Sequence, residues 1–189
     1  MTRSILIVGV GGQGTLLASR LLGRTLLAKD YDVKISEVHG MSQRGGSVVT
    51  YVRYGDNVAS PIVEKGEADI ILSFEELEAA RWLPYLKKGG KIVVNTQKMD
   101  PMPVIIGAAE YPKDVLKQVE AAGVEVQAVD ALRMALEAGS PKAVNVALLG
   151  VVAQNTDIEK DVWEETIRTT VPEKFIDLNL KAFGLGYNA

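Results

Sequence analysis

Apolar and polar positions alternate along this chain in two rhythms. Residues 5–8 are an unbroken apolar run, the kind covered on both faces of a parallel sheet. Beyond a glycine-rich turn, Leu16, Leu17, Leu21, Leu22 and Leu26 recur at helical spacing to about Ala28. Residues 33–38 alternate apolar with polar and predict a second strand with one less buried face, and the β-branched and aromatic run 47–54 predicts a third. Gly55-Asp56 and Ser60-Pro61 are turn signals. A buried strand over 69–74 leads into a helix over 75–86 that Gly89-Gly90 stops, and residues 91–95 supply the next strand. A loop with two prolines spans 96–103, and Val104-Ile105-Ile106 predicts a short extra strand. Residues 112–122 read as a helix stopped by Gly123, 124–129 as a strand, and 130–138 as a helix closed by Gly139. Ser140 and Pro141 fit the cap and first position of a helix reaching about Gln154. Two more helices start near Thr156-Asp157 and at Pro172. The sum is an α/β chain, expected to form one three-layer Rossmann-like domain over 1–189, with a mostly parallel sheet and a helical C-terminal tail.

Composition narrows the chemistry. With 47% hydrophobic and 24% charged residues the chain is globular in type, and 189 residues can bury a sizeable core. A net charge of -3 without a basic stripe predicts no nucleic acid and no anionic membrane surface as partner. No run approaches the roughly 18 apolar residues of a membrane helix, and no signal-peptide pattern is visible, so a cytoplasmic location is expected. Cysteine is absent, which excludes disulfides, a cysteine-ligated iron–sulfur cluster, a thiol nucleophile and a cysteine zinc site within this sequence. The lone histidine, His39, argues against a histidine-rich metal site or a Ser-His-Asp triad, and no metal ligand set is expected.

Two loops concentrate unusual residues. Gly9, Gly11 and Gly14 follow the first strand at the spacing G-x-G-x-x-G, which permits a tight turn, close approach of a phosphate to backbone, and tight packing of the next helix. Such a turn also occurs where it only packs a helix on a strand. Glu37, 23 residues after Gly14, stands roughly where a Rossmann site places its ribose-holding acid. The second loop, His39-Gly40-Met41-Ser42-Gln43-Arg44-Gly45-Gly46-Ser47, closes the second strand. Arg44 there is suited to clamp a carboxylate or phosphate, His39 to move a proton near neutral pH, and Gly45 and Gly46 to let backbone approach a ligand. A surface turn with a capping arginine is the plainer reading. Glu75 and Glu78, on one face of a first helical turn, suit the helix dipole and a Glu78–Arg81 pair, with Glu75 nearest the strand end. Asn95 ends a strand, suited either to orient a ligand or to start the turn. The helix from Pro141 to Gln154 is apolar nearly all round, so it is either a deep core helix or one also covered by another subunit. Its lone central polar residue, Asn145, needs a hydrogen-bond partner.

In order along the chain, Gly9-Val10-Gly11-Gly12-Gln13-Gly14, the loop from His39 to Ser47, Ser60-Pro61, Phe74-Glu75 with Glu78-Ala79, and Asn145 in its leucine-rich helix resemble the gamma-type subunits of the 2-oxoacid:ferredoxin oxidoreductases. The histidine-bearing loop is most similar to the indolepyruvate branch, whose counterpart is the beta subunit. The resemblance covers almost the whole chain, to Asn179 and Ala182-Phe183. It implies an accessory subunit of a complex that converts indolepyruvate or another aryl pyruvate, with coenzyme A, to the acyl-CoA and CO2 while reducing ferredoxin. Thiamine diphosphate, magnesium and iron–sulfur clusters would then reside in a larger alpha subunit, with no cofactor held by this chain alone and coenzyme A entering at the interface. Carried over, Gly9, Gly11, Gly12, Gln13 and Gly14 lie near the subunit junction or the coenzyme A phosphates, with Gln43, Gly45 and Gly46 as further cofactor-contacting candidates. His39 and Arg44 would reach toward the reacting centre in the partner. A homodimer of the isolated chain through the C-terminal helices is also expected. Two other readings remain open from the residues: a self-sufficient oxidoreductase binding NAD(P) at the Gly9 turn with Glu37, and a purely structural cover.

Overall fold

A computed structural model describes residues 2–39 and 46–189. Six strands make one sheet: β1 (Arg3–Val10), β2 (Asp32–His39), β3 (Ser47–Gly55), β4 (Ala68–Ser73), β5 (Leu86–Asn95) and β6 (Glu125–Val129). Their spatial order is β2-β3-β1-β4-β5-β6. The β1–β4, β4–β5 and β5–β6 ladders are parallel, whereas β3 runs antiparallel to both β1 and β2. The sheet is therefore mixed. The strand beside β1 is an inserted β3, and β2 is pushed out to the edge.

Side-chain alternation on β1 divides the interior in two. Ile5 and Ile7 face one layer of helices, α1 (Thr15–Leu27), α5 (Ala131–Ala138), α6 (Val144–Ala153), α7 (Lys160–Thr170) and α8 (Ile176–Tyr187). Leu6 and Val8 face the other, α2 (Glu76–Trp82) and α4 (Val115–Ala121). Leu21, Leu22 and Leu26 are buried to 1% or less on the first side, each contributing about 2 kcal/mol by leaving water. The remaining helix, α3 (Met102–Ile105), is a single turn in the loop after β5.

The helix α6 is buried around its circumference by its own chain, which decides for the deep-core alternative. It meets α8 backbone to backbone: a Cβ on Gly150 would overlap the Phe183 carbonyl oxygen, and one on Gly186 the Ala147 carbonyl oxygen. With α6 enclosed in this way, it offers no bare apolar face for the homodimer expected of the isolated chain. Trp163 of α7 stacks on Phe183 of α8, ring centroids 6.1 Å apart, and ties the C-terminal tail to that layer.

Four elements differ from their sequence reading. The helix after β4 ends at Trp82 and passes through a 3-10 turn, Leu83–Tyr85, into β5, so Gly89 and Gly90 lie inside a strand. Pairing of Leu86 with Ala68 extends β5 there and overrides the helical pattern. Val104 and Ile105 belong to the α3 turn and Ile106 ends it: Pro101 and Pro103 set a helical start, and none of the sheet's ladders includes these residues. The helix expected from 156 starts at Lys160. Ser140 does cap, accepting from the Lys142 amide at 3.3 Å, but what it caps first is the 3-10 turn Pro141–Ala143 ahead of α6.

Candidate functional site

β1, β4, β5 and β6 all deliver the chain to one carboxyl edge, where ligands gather in open α/β sheets. The glycine turn after β1 is locked from within. The Gln13 side chain accepts from the Val10 amide at 2.7 Å and donates to the Phe74 carbonyl at 3.2 Å. A Cβ on Gly9 would stand 2.8 Å from Gln13 Oε1 and 3.1 Å from Phe74 Cβ, so a side chain here would push the Gln13 side chain out of its bonded position. The amide of Gly11 donates to the Gly46 carbonyl at 3.0 Å and ties the first loop to the second. These three residues build the turn. Gly12, at φ +98° with open space around its Cβ position, has room for a ligand. Gly14, at φ +85°, starts α1, and a Cβ there would lie 3.0 Å from Asn145 Nδ2. Asn145 has the partner it needs: it donates to the Gly14 carbonyl at 3.3 Å and accepts from the Val146 amide at 2.9 Å. The first turn of α1 carries neither a capping side chain nor an acidic residue, so its positive end is left for other anions.

Above this turn lies a cleft of about 690 Å³, within the range of small-molecule sites. Its floor is Gly11 to Gly14. Phe74, Met99, Leu132 and Val144 give apolar walls, while Gln97, Lys142 and Asn145 supply polar groups. The cation of Lys142 shares the cleft with the α1 N-terminus, which makes this end a fit for phosphate; the other walls suit an apolar or planar group.

Beside the cleft, β4 ends in three buried carboxylates. Glu75 caps α2 by accepting from the Glu78 amide at 2.9 Å, and also accepts from the Met99 amide at 3.2 Å and from the Tyr111 hydroxyl. Glu78 pairs with Arg81 at 2.9 Å, as its spacing predicts, and accepts from Ser47 at 2.5 Å. Burial pushes the Tyr111 phenol well above its ordinary range, reinforced by its bond to Glu75. Glu76 is raised above the usual carboxylate value by burial and by the neighbouring Glu75 charge, against the lowering effect of Lys98. A raised carboxyl favours the folded state at low pH, and that advantage is lost as pH rises through the folded value. Glu76→Gln is accordingly expected to raise the melting temperature at pH 7 and to have no such effect at pH 4, as thermal melts at both pH values will show.

Most of the predicted site residues come together. Gly9, Gly11, Gly12, Gln13, Gly14 and Gly46 converge at one edge. His39 ends β2, its backbone opposite Val48, also at that edge. Gln43, Arg44 and Gly45 lie outside the described residues. Glu37 pairs with Thr50 of β3, so β3 separates it from β1 and two strand spacings, about 10 Å, lie between. It does not take the Rossmann ribose position, and the NAD(P) reading loses its acidic residue. Asn95 binds inward, donating to the Phe74 carbonyl at 3.3 Å and accepting from the Ala131 amide at 3.1 Å. Sequence reasoning missed Gln97, Met99 and Lys142. Of these Lys142 had a signal, coming directly after the Ser140-Pro141 start. Among the described residues no cluster of three metal-ligating side chains occurs, and no helix is long and apolar enough to cross a membrane.

A family model described as pyruvate ferredoxin/flavodoxin oxidoreductase matches residues 4–189. The indolepyruvate oxidoreductase subunit IorB of Thermococcus kodakarensis is 46% identical over 191 residues, covering 98% of this chain and 95% of that one. The crystal structure of pyruvate oxidoreductase subunit PORC from Thermotoga maritima superposes with a TM-score of 0.75 at 22% identity, over 99% of this chain and 96% of that one. The 2-oxoglutarate:ferredoxin oxidoreductase of Magnetococcus marinus, solved with 2-oxoglutarate, coenzyme A and succinyl-CoA bound, contains the same fold. Its TM-score is 0.74 at 18% identity, with 99% of this chain covering 30% of that larger one.

Proposed function

The chain belongs to the pyruvate ferredoxin/flavodoxin oxidoreductase family, and from that premise we propose that it is the accessory subunit of an indolepyruvate:ferredoxin oxidoreductase. The complex oxidatively decarboxylates indolepyruvate or a related aryl pyruvate, passes the acyl group to coenzyme A and delivers the electrons to ferredoxin. The observation that carries this reading is the whole-length similarity to IorB. The cleft over the glycine turn supports a coenzyme A role: the α1 N-terminus and Lys142 suit its phosphates, and Met99, Leu132 and Val144 suit its less polar parts.

Redox centres belong elsewhere in the complex. A chain without cysteine has no thiolates for an iron–sulfur cluster, and these are assigned to the larger alpha subunit together with thiamine diphosphate and its magnesium. Thiamine diphosphate supplies the decarboxylating and acyl-carrying chemistry there. This chain holds the coenzyme in place, excludes water from the chamber it closes, and offers the His39–Gly46 loop to the reacting centre.

The test is reconstitution with the larger subunit. Neither chain alone should turn over indolepyruvate with coenzyme A and ferredoxin, and the mixture should. In the mixture Arg44→Ala should lower kcat/KM about tenfold or more, the worth of one charge-assisted hydrogen bond, while the isolated variant melts as the native chain does. Turnover by this chain alone would refute the assignment. An Arg44 variant with full activity would leave the loop as a structural cover.

A further inference from the structure

Glu75 does more than its helix requires. A short acceptor such as aspartate caps an N-terminus fully, and here one oxygen, Oε2, performs that task by taking the Glu78 amide at 2.9 Å. The other oxygen, Oε1, reaches outward and accepts from the Met99 amide at 3.2 Å and from the Tyr111 hydroxyl. These two donors stand at the two ends of residues 99–111. A single carboxylate atom, on a residue only 1% exposed, therefore draws both ends of that segment together.

Besides the Leu77 backbone at Tyr111 and Lys98, which pairs with Glu76 at 3.7 Å and lies over the Tyr111 ring, the segment has few buried contacts. Met102, Ile105 and Ile106 are each about two-thirds exposed, and residues 105–110 are exposed throughout. A stretch with so few buried contacts owes its order to its anchor points. Those anchors continue into the cleft. The Gln97 carbonyl accepts from the Glu76 amide at 3.1 Å, and Gln97 Oε1 takes the side chains of Asn95 at 3.3 Å and Gln13 at 3.5 Å. Gln97 and Met99 are themselves cleft walls facing the glycine turn.

We propose that Glu75 and Tyr111 form a clasp that fixes residues 97–111 and thereby holds Gln97 and Met99 in place as walls of the cleft, which makes both of them positioning residues for the molecule bound there. The proposal rests on the reading of the cleft as a coenzyme A site. The length of the Glu75 side chain is what the clasp uses: aspartate keeps the cap but is one methylene too short to span to Met99 and Tyr111, whereas phenylalanine at 111 removes only the hydroxyl.

The experiment compares native protein, Glu75→Asp and Tyr111→Phe, each assembled with the larger subunit. Hydrogen exchange of amides 97–111 should speed up about tenfold in both variants, the loss of one hydrogen bond to a charged group, with the β1 and α6 amides unchanged. The KM for coenzyme A should rise about fivefold with little change in kcat, the pattern of lost uniform binding. If Glu75→Asp exchanges at the native rate, there is no clasp. If exchange rises but KM stays native, the two residues only stabilise the loop and the positioning role is overturned. Coenzyme A added to the native complex is the separate check on the underlying reading. Failure to protect amides 9–15 and 97–99 refutes the coenzyme site itself, and protection there with a native KM in the variants refutes the positioning role alone.

Discussion

Gly186→Ala is expected to destabilise the protein by about 3 kcal/mol, lowering its melting temperature by roughly 10 °C. Its new Cβ would overlap the carbonyl of Ala147, a backbone atom in the middle of α6 that cannot rotate aside. The two helices would have to separate, and α6 is packed on its remaining sides against the sheet and α5. Close packing makes such an adjustment costly. Gly184 supplies an internal control two residues earlier in the same helix. A Cβ there meets nothing within 4 Å, so Gly184→Ala should be stabilising by up to about 1 kcal/mol through helix propensity. Chemical denaturation of the two variants checks the pair. Equal stabilities would mean that α6 and α8 do not touch as described.

The second large effect concerns the glycine turn, where two alanine substitutions should part company. At both Gly12 and Gly14 an L residue meets a left-handed backbone, at a cost of about 1–2 kcal/mol. At Gly14 the new Cβ would also press to 3.0 Å of Asn145 Nδ2, the group that holds the Gly14 carbonyl, so the start of α1 must shift. Gly14→Ala is expected to lose both stability and coenzyme A affinity. At Gly12 the Cβ enters open space, so the change costs only the backbone term but projects a methyl into the cleft floor. Gly12→Ala should therefore weaken coenzyme A binding in the complex about tenfold or more, while its melting temperature falls less than that of Gly14→Ala. Calorimetric titration beside thermal melts separates the two. Native affinity in Gly12→Ala would show that the turn serves packing alone.

What could be seen from the sequence was local in origin. Gly139 closes α5 in a left-handed conformation, and Ser140 accepts from a nearby amide, because caps depend on neighbours within a few residues. The burial of residues 5–8 and of α6 came from unbroken apolar runs. Strand direction was not legible, since alternation along residues 47–54 is identical whether β3 runs with β1 or against it. That one unknown misplaced Glu37, whose position depends on which strand lies beside β1. The run Val104-Ile105-Ile106 misled through β-propensity, which describes fit to a sheet surface and has little force in a segment that pairs with no strand. Within the site, the Gly11–Gly46 bond and the Tyr111–Glu75 contact join residues 35 and 36 positions apart, and no periodicity signals pairs of that kind.

The insertion of β3 also bears on how the chain is made. Its first strand becomes an interior one, yet both partners come much later: Arg3 waits for Tyr54 and Ile5 for Ile70. At a synthesis rate of about 5–20 residues per second, the apolar run of β1 stays unpaired for several seconds after it is made. The newly made β1 strand therefore needs shelter, and a chaperone that engages during synthesis should improve the yield more than one that acts after release.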